Sequence, residues 1–170
     1  FQVFSSNTVV KGFHFKDAFV HGLRGTGQLF ERNRLTGVGR LIVGGFHSTA
    51  RYNRLNGPQT SLGIFGSHNR VYQNSITDIF SSGIGVSNHS FDHVIYRNRV
   101  LDCSTGILVE GERVVVKDNL LQNNARNDIY VGRFSADNKI IRNRLCSGLE
   151  FPIDDLGSNN IIEDNEERCR

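Results

Sequence analysis

The chain has 170 residues, enough for one domain with a core of its own. Glycine is abundant at 18 and proline scarce at 2, and no apolar run approaches the roughly 18 residues a membrane helix needs. The net charge of +3 is uneven: residues 150–170 hold seven carboxylates against two arginines, so the first 149 residues carry 18 basic and 10 acidic side chains, a balance that attracts polyanions.

Taken in chain order, the predicted elements are short strands around recurring asparagines. The segments are FERNRL, RYNRL, VYQNSI, IYRNRV, VKDNLL, IIRNRL and IIEDNE, centred on Asn33, Asn53, Asn74, Asn98, Asn119, Asn143 and Asn165. The spacings are 20, 21, 24, 21, 24 and 22 residues. An earlier copy, VVKGFH, is aligned with Gly12 in the Asn position. Three residues before each centre stands Val9, Phe30, Ala50, Val71, Ile95, Val116, Ile140 or Ile162. Two residues after it stands His14, Leu35, Leu55, Ile76, Val100, Leu121, Leu145 or Glu167, aliphatic except at the two ends, where a stack of repeats terminates. A further strand follows in each repeat, alternating with period two: Leu41/Val43, Leu62/Ile64, Ile84/Val86, Ile107/Val109 and Ile129/Val131. No segment carries a helical stripe.

Several columns sharing one period identify a solenoid. A leucine-rich repeat would need leucine five residues before the Asn, but Asn7, Gln28, Ser48, Asn69, His93, Val114, Asn138 and Asn160 stand there. A coil of about 22 residues suits short strands joined by turns, each pairing in parallel with the next coil about 4.8 Å away. Right-handed winding is the favoured sense for such connections. The expectation is an all-β, right-handed parallel β-helix of seven to eight coils, one domain over residues 1–170. A chain that begins at Phe1 and lacks Met is expected to be a processed product or a fragment of a longer β-helix.

The segments HNRVYQN, SFDHVIYRNRV and NKIIRNRL, with the following Gly83–Val86 and Gly106–Val109 strands, resemble the pectin lyase-like superfamily of right-handed β-helices. The resemblance covers nearly the whole chain. It implies inward asparagine ladders, in which each amide supplies donors and an acceptor. It also implies proteins that bind or cleave acidic polysaccharides, with Ca²⁺ or a basic side chain neutralising a uronate in the lyases. No catalytic residue of the superfamily maps onto a numbered position here.

Stacking turns the period into columns of neighbours. Arg34, Arg54, Ser75, Arg99, Leu120 and Arg144 follow the asparagines; Arg32, Tyr52, Gln73, Arg97, Asp118 and Arg142 precede them. Stacked like charges cost energy unless compensated, and arginine suits carboxylates or sulfates. Arg34, Arg54, Arg97, Arg99 and Arg144 are therefore the candidate substrate-binding residues, with pairing to Glu31 or Asp118 as the alternative. His47, His68 and His89, spaced 21 and 21, are expected to stack on three coils as candidate catalytic or substrate-contacting groups. Asp78, Asp102 and Asn123, each four residues after an asparagine, offer oxygens to Ca²⁺ or form ordinary Asx turns. Cys146 and Cys169 fall on adjacent coils within reach of a disulfide, while Cys103 should be free.

The function expected is an extracytoplasmic β-helix (extracellular, cell-surface or periplasmic) that holds an acidic polysaccharide on a basic face. If it is an enzyme, polysaccharide lyase or glycoside hydrolase is the expected class. Asp92, Glu110, Glu112, Asp137, Asp154 and Asp155 are available to a hydrolase, which needs two spaced carboxylates. No nucleic acid is expected as partner. The rival expectation is a noncatalytic module of a tail fibre, filament or larger assembly, self-associating or capped through open coil ends.

Overall fold

A computed structural model describes residues 1–147 and 149–167. Nineteen strands follow one another with no helix among the described residues. They are β1 (Gln2–Val3), β2 (Val9–Lys11), β3 (His14–Lys16), β4 (Phe19–Gly22), β5 (Leu29–Glu31), β6 (Arg34–Val43), β7 (Thr49–Arg51), β8 (Arg54–Ile64), β9 (Arg70–Tyr72) and β10 (Ser75–Val86). There follow β11 (Val94–Tyr96), β12 (Arg99–Val109), β13 (Val115–Lys117), β14 (Leu120–Gln122), β15 (Asn127–Val131), β16 (Lys139–Ile141), β17 (Arg144–Cys146), β18 (Ile153–Asp155) and β19 (Ile161–Glu163).

Every pairing is parallel and joins one coil to the next, giving about eight turns of roughly 21 residues. The strands preceding the asparagines form one sheet of eight, β19-β16-β13-β11-β9-β7-β5-β2. The strands following them form a second sheet of eleven, centred on the long strands β6, β8, β10 and β12. The long strands bend part-way. At the terminal coils the same path is broken into separate short strands, such as β14 and β15 beside β12.

Three corners turn each coil, and each uses left-handed backbone. The residue before the asparagine is one: Arg32, Tyr52, Gln73, Arg97, Asp118, Arg142 and Asp164 all have φ between 53° and 57°. The bend after the asparagine is the second, at Asp17, Gly37, Gly57, Asp78, Asp102 and Asn123. At Gly57, with φ 142°, a Cβ would run into the Gly37 carbonyl of the neighbouring coil, so only glycine fits. The third corner carries Asn7, Gly27, His47, His68, Asp92, Arg113, Asp137 and Asn159.

Inside, the columns stack as the period requires. Leu35, Leu55, Ile76, Val100, Leu121 and Leu145 lie in one buried file; Leu41, Leu62, Ile84, Ile107 and Ile129 in another; Phe30, Ala50, Val71, Ile95, Val116 and Ile140 in a third. The asparagines point inward and bond coil to coil. Asn53 shows the pattern: its N–H and its Nδ2 both donate to Asn74 Oδ1 at 3.0 Å, and Nδ2 also donates to Phe30 O at 2.9 Å. Six of these asparagines are buried, so a complete set of partners is what makes their burial tolerable.

The first coil is offset by one residue from the alignment drawn on sequence. Val9 pairs with Leu29 and His14 with Arg34, which puts Phe13, not Gly12, in the ladder position. The Phe13 N–H donates to Asn33 Oδ1 at 3.1 Å. Gly12 is instead the left-handed corner residue, φ 76°. Val10 and Phe15 therefore take the inward places assigned to Val9 and His14, and Thr8 takes the place of Asn7. The expected polar ending at His14 is replaced by a half-buried phenylalanine packed on the core.

The polar column that excluded a leucine-rich repeat is a second interior ladder. Ser48 N–H donates to Asn69 Oδ1 at 2.7 Å, and Asn69 N–H to His93 Nδ1 at 3.1 Å. Past Val114 the ladder resumes, with Val114 N–H donating to Asn138 Oδ1 at 2.8 Å. His93 is fully buried, and burial lowers its pKa to about 4. Its imidazole is a neutral acceptor in a ladder position.

Candidate functional site

The arginine column stacks as its spacing requires. Arg34 pairs with Arg54, Arg54 with Ser75, Ser75 with Arg99, Arg99 with Leu120 and Leu120 with Arg144. All four arginines are exposed. They lie on the outer face of the eleven-stranded sheet, beside the parallel column Thr36, Asn56, Thr77, Leu101 and Gln122. Arg34, Arg54, Asn56, Ser75 and Thr77 line one shallow groove.

The ion pairs divide the arginines into two sets. Arg51 donates to Glu31 Oε2 from Nη2 at 2.7 Å, and its Nη1 to the Tyr72 hydroxyl at 3.0 Å. Hydrogen bonding to Tyr72 and Glu31 raises the Arg51 pKa, and Arg51 in turn holds the Glu31 carboxyl below its ordinary range. Arg142 pairs with Asp118 at 2.9 Å, Arg113 with Asp92 at 2.8 Å, and Arg144 with Glu166 at 3.2 Å. Arg34, Arg54, Arg97 and Arg99 have no ion pair among the described residues. Arg97 is separated from Arg99 by the inward-pointing Asn98 and turns the corner next to the other sheet. It therefore does not belong to the groove.

The histidines occupy the third corner, on the opposite side of the eight-stranded sheet from the arginine column. His47 and His68 are one coil apart, with ring centroids 4.9 Å apart. His89 is not their third member. Ser67 bridges to Phe91, so the residue beside His68 on the next coil is Asp92. His89 lies in a turn lengthened by two residues, since Val86 to Phe91 replaces the shorter step from Ile64 to Ser67. His68 Nδ1 lies 3.0 Å from Ser67 Oγ, and Nε2 lies 3.8 Å from Asp92 Oδ2. Arg113 clamps Asp92 with two bonds, Nε to Oδ1 at 2.8 Å and Nη2 to Oδ2 at 3.2 Å. That clamp holds the Asp92 carboxyl below the usual carboxylate range. His47 and His68 line a groove with Arg70, apart from the one that Arg34 and Arg54 line.

Asp78, Asp102 and Asn123 stack at the second corner, where Asn123 bonds Asp102 and Asp78 bonds Asn56. Asn56 Nδ2 donates to Asp78 Oδ2 at 2.6 Å, and Asn123 Nδ2 to Asp102 Oδ1 at 3.1 Å. With left-handed φ at all three, they are Asx-type corner residues. Among the described residues no three His, Cys, Asp or Glu side chains converge in a way that would hold a metal. Of the carboxylates available to a hydrolase, Asp92 and Glu112 contact Arg113, and Asp155 accepts from Gly157 N–H and Asn160 Nδ2. Cys103 is free and buried, and burial pushes its thiol up to about 12. The expected bridge from Cys146 reaches Cys169, which lies outside the described residues.

The residue pattern matches a known family over most of its length. A family model described as a right handed beta helix region matches residues 2–145. The chain belongs to the right-handed β-helix family. No curated protein and no solved structure matches it. Within this β-helix, two features escaped the sequence reading. Gly63 and Gly85 face outward on adjacent coils of the bent strands and open a trough of about 300 Å³, with Arg40, Phe65, Ser82 and Glu110 around it. The alternation of outward positions in GIxV-type strands was the signal for it. Asp128, fully buried, accepts from Asn124 Nδ2 at 2.7 Å and from the Ser147 hydroxyl, and burial raises its pKa. This network takes over, in the last coils, the inward place held by Ile79 and Cys103.

Proposed function

We propose that this β-helix is a binding module for an acidic polysaccharide, held along the Arg34–Arg54–Arg99 column. The observation that carries this reading is the contrast between paired and unpaired arginines. The fold neutralises Arg51, Arg113, Arg142 and Arg144 with its own carboxylates, yet leaves three cations of one column without a partner. Adjacent coils bring Arg34 directly beside Arg54, an arrangement that costs energy until an anion spans it. With a coil repeat of about 4.8 Å, Arg34 and Arg54 stand one step apart and Arg99 two steps beyond Arg54, across Ser75, along the path of a polymer bearing carboxylates or sulfates. Thr36, Asn56 and Thr77 add neutral hydrogen-bonding groups beside them, as sugar hydroxyls require. The setting this reading implies is extracellular, cell-surface or periplasmic.

The reading is one of binding; His14 continues the column one coil before Arg34, with its Nε2 3.0 Å from Thr36 Oγ1, and Asp78 bonds Asn56 at the groove's edge. Polygalacturonate or heparin affinity, measured by calorimetry over a range of salt, tests it. Replacing Arg34, Arg54 and Arg99 together by glutamine should weaken binding on the order of a hundredfold, at about 1 kcal/mol per charge-assisted contact. Arg142→Gln, which removes a cation already paired with Asp118, should leave affinity unchanged. Binding that is insensitive to salt, or a triple variant that binds like the parent, would overturn the proposal.

A further inference from the structure

We propose that the glycine-floored trough on the outer face of β8 and β10 binds a small zwitterion, which lays an uncharged body over Gly63 and Gly85 with its carboxylate on Arg40 and its ammonium on Glu110. The fold itself does not need those two glycines. They are direct partners in a regular stretch of the parallel ladder, beyond the register shift that precedes Ile84. Neither has left-handed backbone. A Cβ on Gly85 would meet nothing within 4 Å, and one on Gly63 would make only ordinary contacts, the nearest with Phe65 Cε2 at 3.5 Å. Gly45, Gly57 and Gly66 differ, since a Cβ on each would strike a backbone carbonyl of the adjoining coil. The same outward column carries Ile42 one coil before Gly63 and Leu108 one coil after Gly85, so large side chains are accepted there. Glycine weakens a strand interior. Where neither conformation nor packing calls for it, the reason that remains is room for a group that approaches the backbone closely.

The rim decides what that group is. Arg40, Phe65, Ser82, Ser87 and Glu110 stand around the two glycines and enclose about 300 Å³, the lower end of the range for small-molecule sites. Arg40 Nε donates to Ser61 Oγ at 3.1 Å, which holds the guanidinium near the level of the next coil and leaves its Nη atoms for a carboxylate. Glu110 lies two coils beyond Ser61, about 10 Å along the axis. Neither Arg40 nor Glu110 has an ion pair among the described residues. One cation and one anion thus border the same floor without touching. A polyanion would meet Glu110 and a polycation would meet Arg40, whereas a molecule charged oppositely at its two ends satisfies both. The gap also sets its length. An α-amino acid carries both charges on one carbon and is too short; a dipeptide or an ω-amino carboxylate spans the distance.

The trough is separate from the Arg34–Arg54–Arg99 column. The left-handed corner at Gly57 and Asp78 lies between them, so the two surfaces occupy different halves of the same bent strands.

ε-Aminocaproate is the probe, with caproate and hexylamine as analogues that each keep one of its charges. The full chain is titrated with each compound at about pH 7 and constant ionic strength, following backbone amide resonances by NMR. ε-Aminocaproate should shift the Gly63 and Gly85 amides and saturate. Each single-charge analogue should bind about tenfold more weakly, through loss of one charge-assisted contact. Arg40→Gln and Glu110→Gln should each cost about the same factor. Gly85→Val should abolish binding while its urea midpoint equals or exceeds that of the parent, a combination that a glycine kept for structure would not give. Shifts that never saturate, analogues that bind as tightly as the zwitterion, or a Gly85→Val variant that binds like the parent or unfolds at lower urea would refute the site. The Arg34/Arg54/Arg99 variant should bind ε-aminocaproate as the parent does, so the two proposals stand or fall separately.

Discussion

An interior histidine is one group through which acid destabilises this protein, beside the paired carboxylates Glu31 and Asp92. His93 accepts from Asn69 N–H through Nδ1 and is fully buried, with its pKa lowered from 6.5 to about 4. The unfolded chain therefore takes up the proton first as pH falls. The stability present above pH 6.5 is lost progressively below it, and the loss is complete below about pH 4, roughly 3 kcal/mol in all. His93→Asn substitutes the residue type found elsewhere in the same ladder and removes the titration. Urea unfolding at pH 7 and at pH 4.5 should show a smaller difference for the variant than for the parent. Nothing in the sequence separates this histidine from the others. Its column was legible as polar, but whether a polar side chain faces inward depends on the turn before it. The same dependence explains His89: a count of 21 residues matches the step from His47 to His68, yet two extra residues ahead of Phe91 and one at the bend of β10 shift it off the file.

At the scale of the strand and its corner, the asparagine ladder is the element that fixes register. Asn98 accepts from both N–H and Nδ2 of Asn74 at 3.0 Å, and donates to Val71 O and Asn119 Oδ1 at 3.0 Å. Asn98→Ala leaves the buried Asn74 N–H without its acceptor and removes the amide donor to Val71 O, while Asn74 Nδ2 keeps Ala50 O and Tyr72 O. A loss of about 3–5 kcal/mol is expected, read as a lower urea midpoint with no change in the far-UV spectrum of the folded protein. This part of the fold was plain from the chain because the amide recurs where a short strand ends. The register of the first coil was not, because it lacks the asparagine; one residue of slip exchanged Gly12 for Phe13 and turned the inner column over. The ion pairs were legible only in part. Asp118 does meet an arginine, but it is Arg142 of the next coil, and Glu31 collects Lys11, Arg32 and Arg51 at once. Such choices depend on side-chain reach across coils, which periodicity does not encode.

For the whole molecule, every coil contacts only its immediate neighbours, so stability is shared along the axis and weakest at the two ends. Ile95 in the middle of its file is fully buried, while Ile162 in the same file at the last described coil is 42% exposed. Amide exchange should accordingly be slowest in β10, β11 and β12, and faster by orders of magnitude in β2 and β19. Hydrogen exchange with fragment-resolved mass spectrometry checks this, and uniform protection along the axis would contradict it. The arginine groove sits on β6, β8 and β10, and Arg99 follows on β12, all long strands of the stack's middle. A rigid base of this kind spares a ligand the entropic cost of ordering its site.

The two 24-residue coils show where this architecture accepts new sequence. The first of them adds residues at the bend of β10 and in the turn that carries His89, while Ile76, Ile84 and Val86 keep their inward places and their partners. Length can therefore change at a vertex without rewriting the interior. A foreign loop grafted between Ser87 and Ser90 would be displayed at the rim of an unaltered scaffold, which makes that vertex a natural port for diversification.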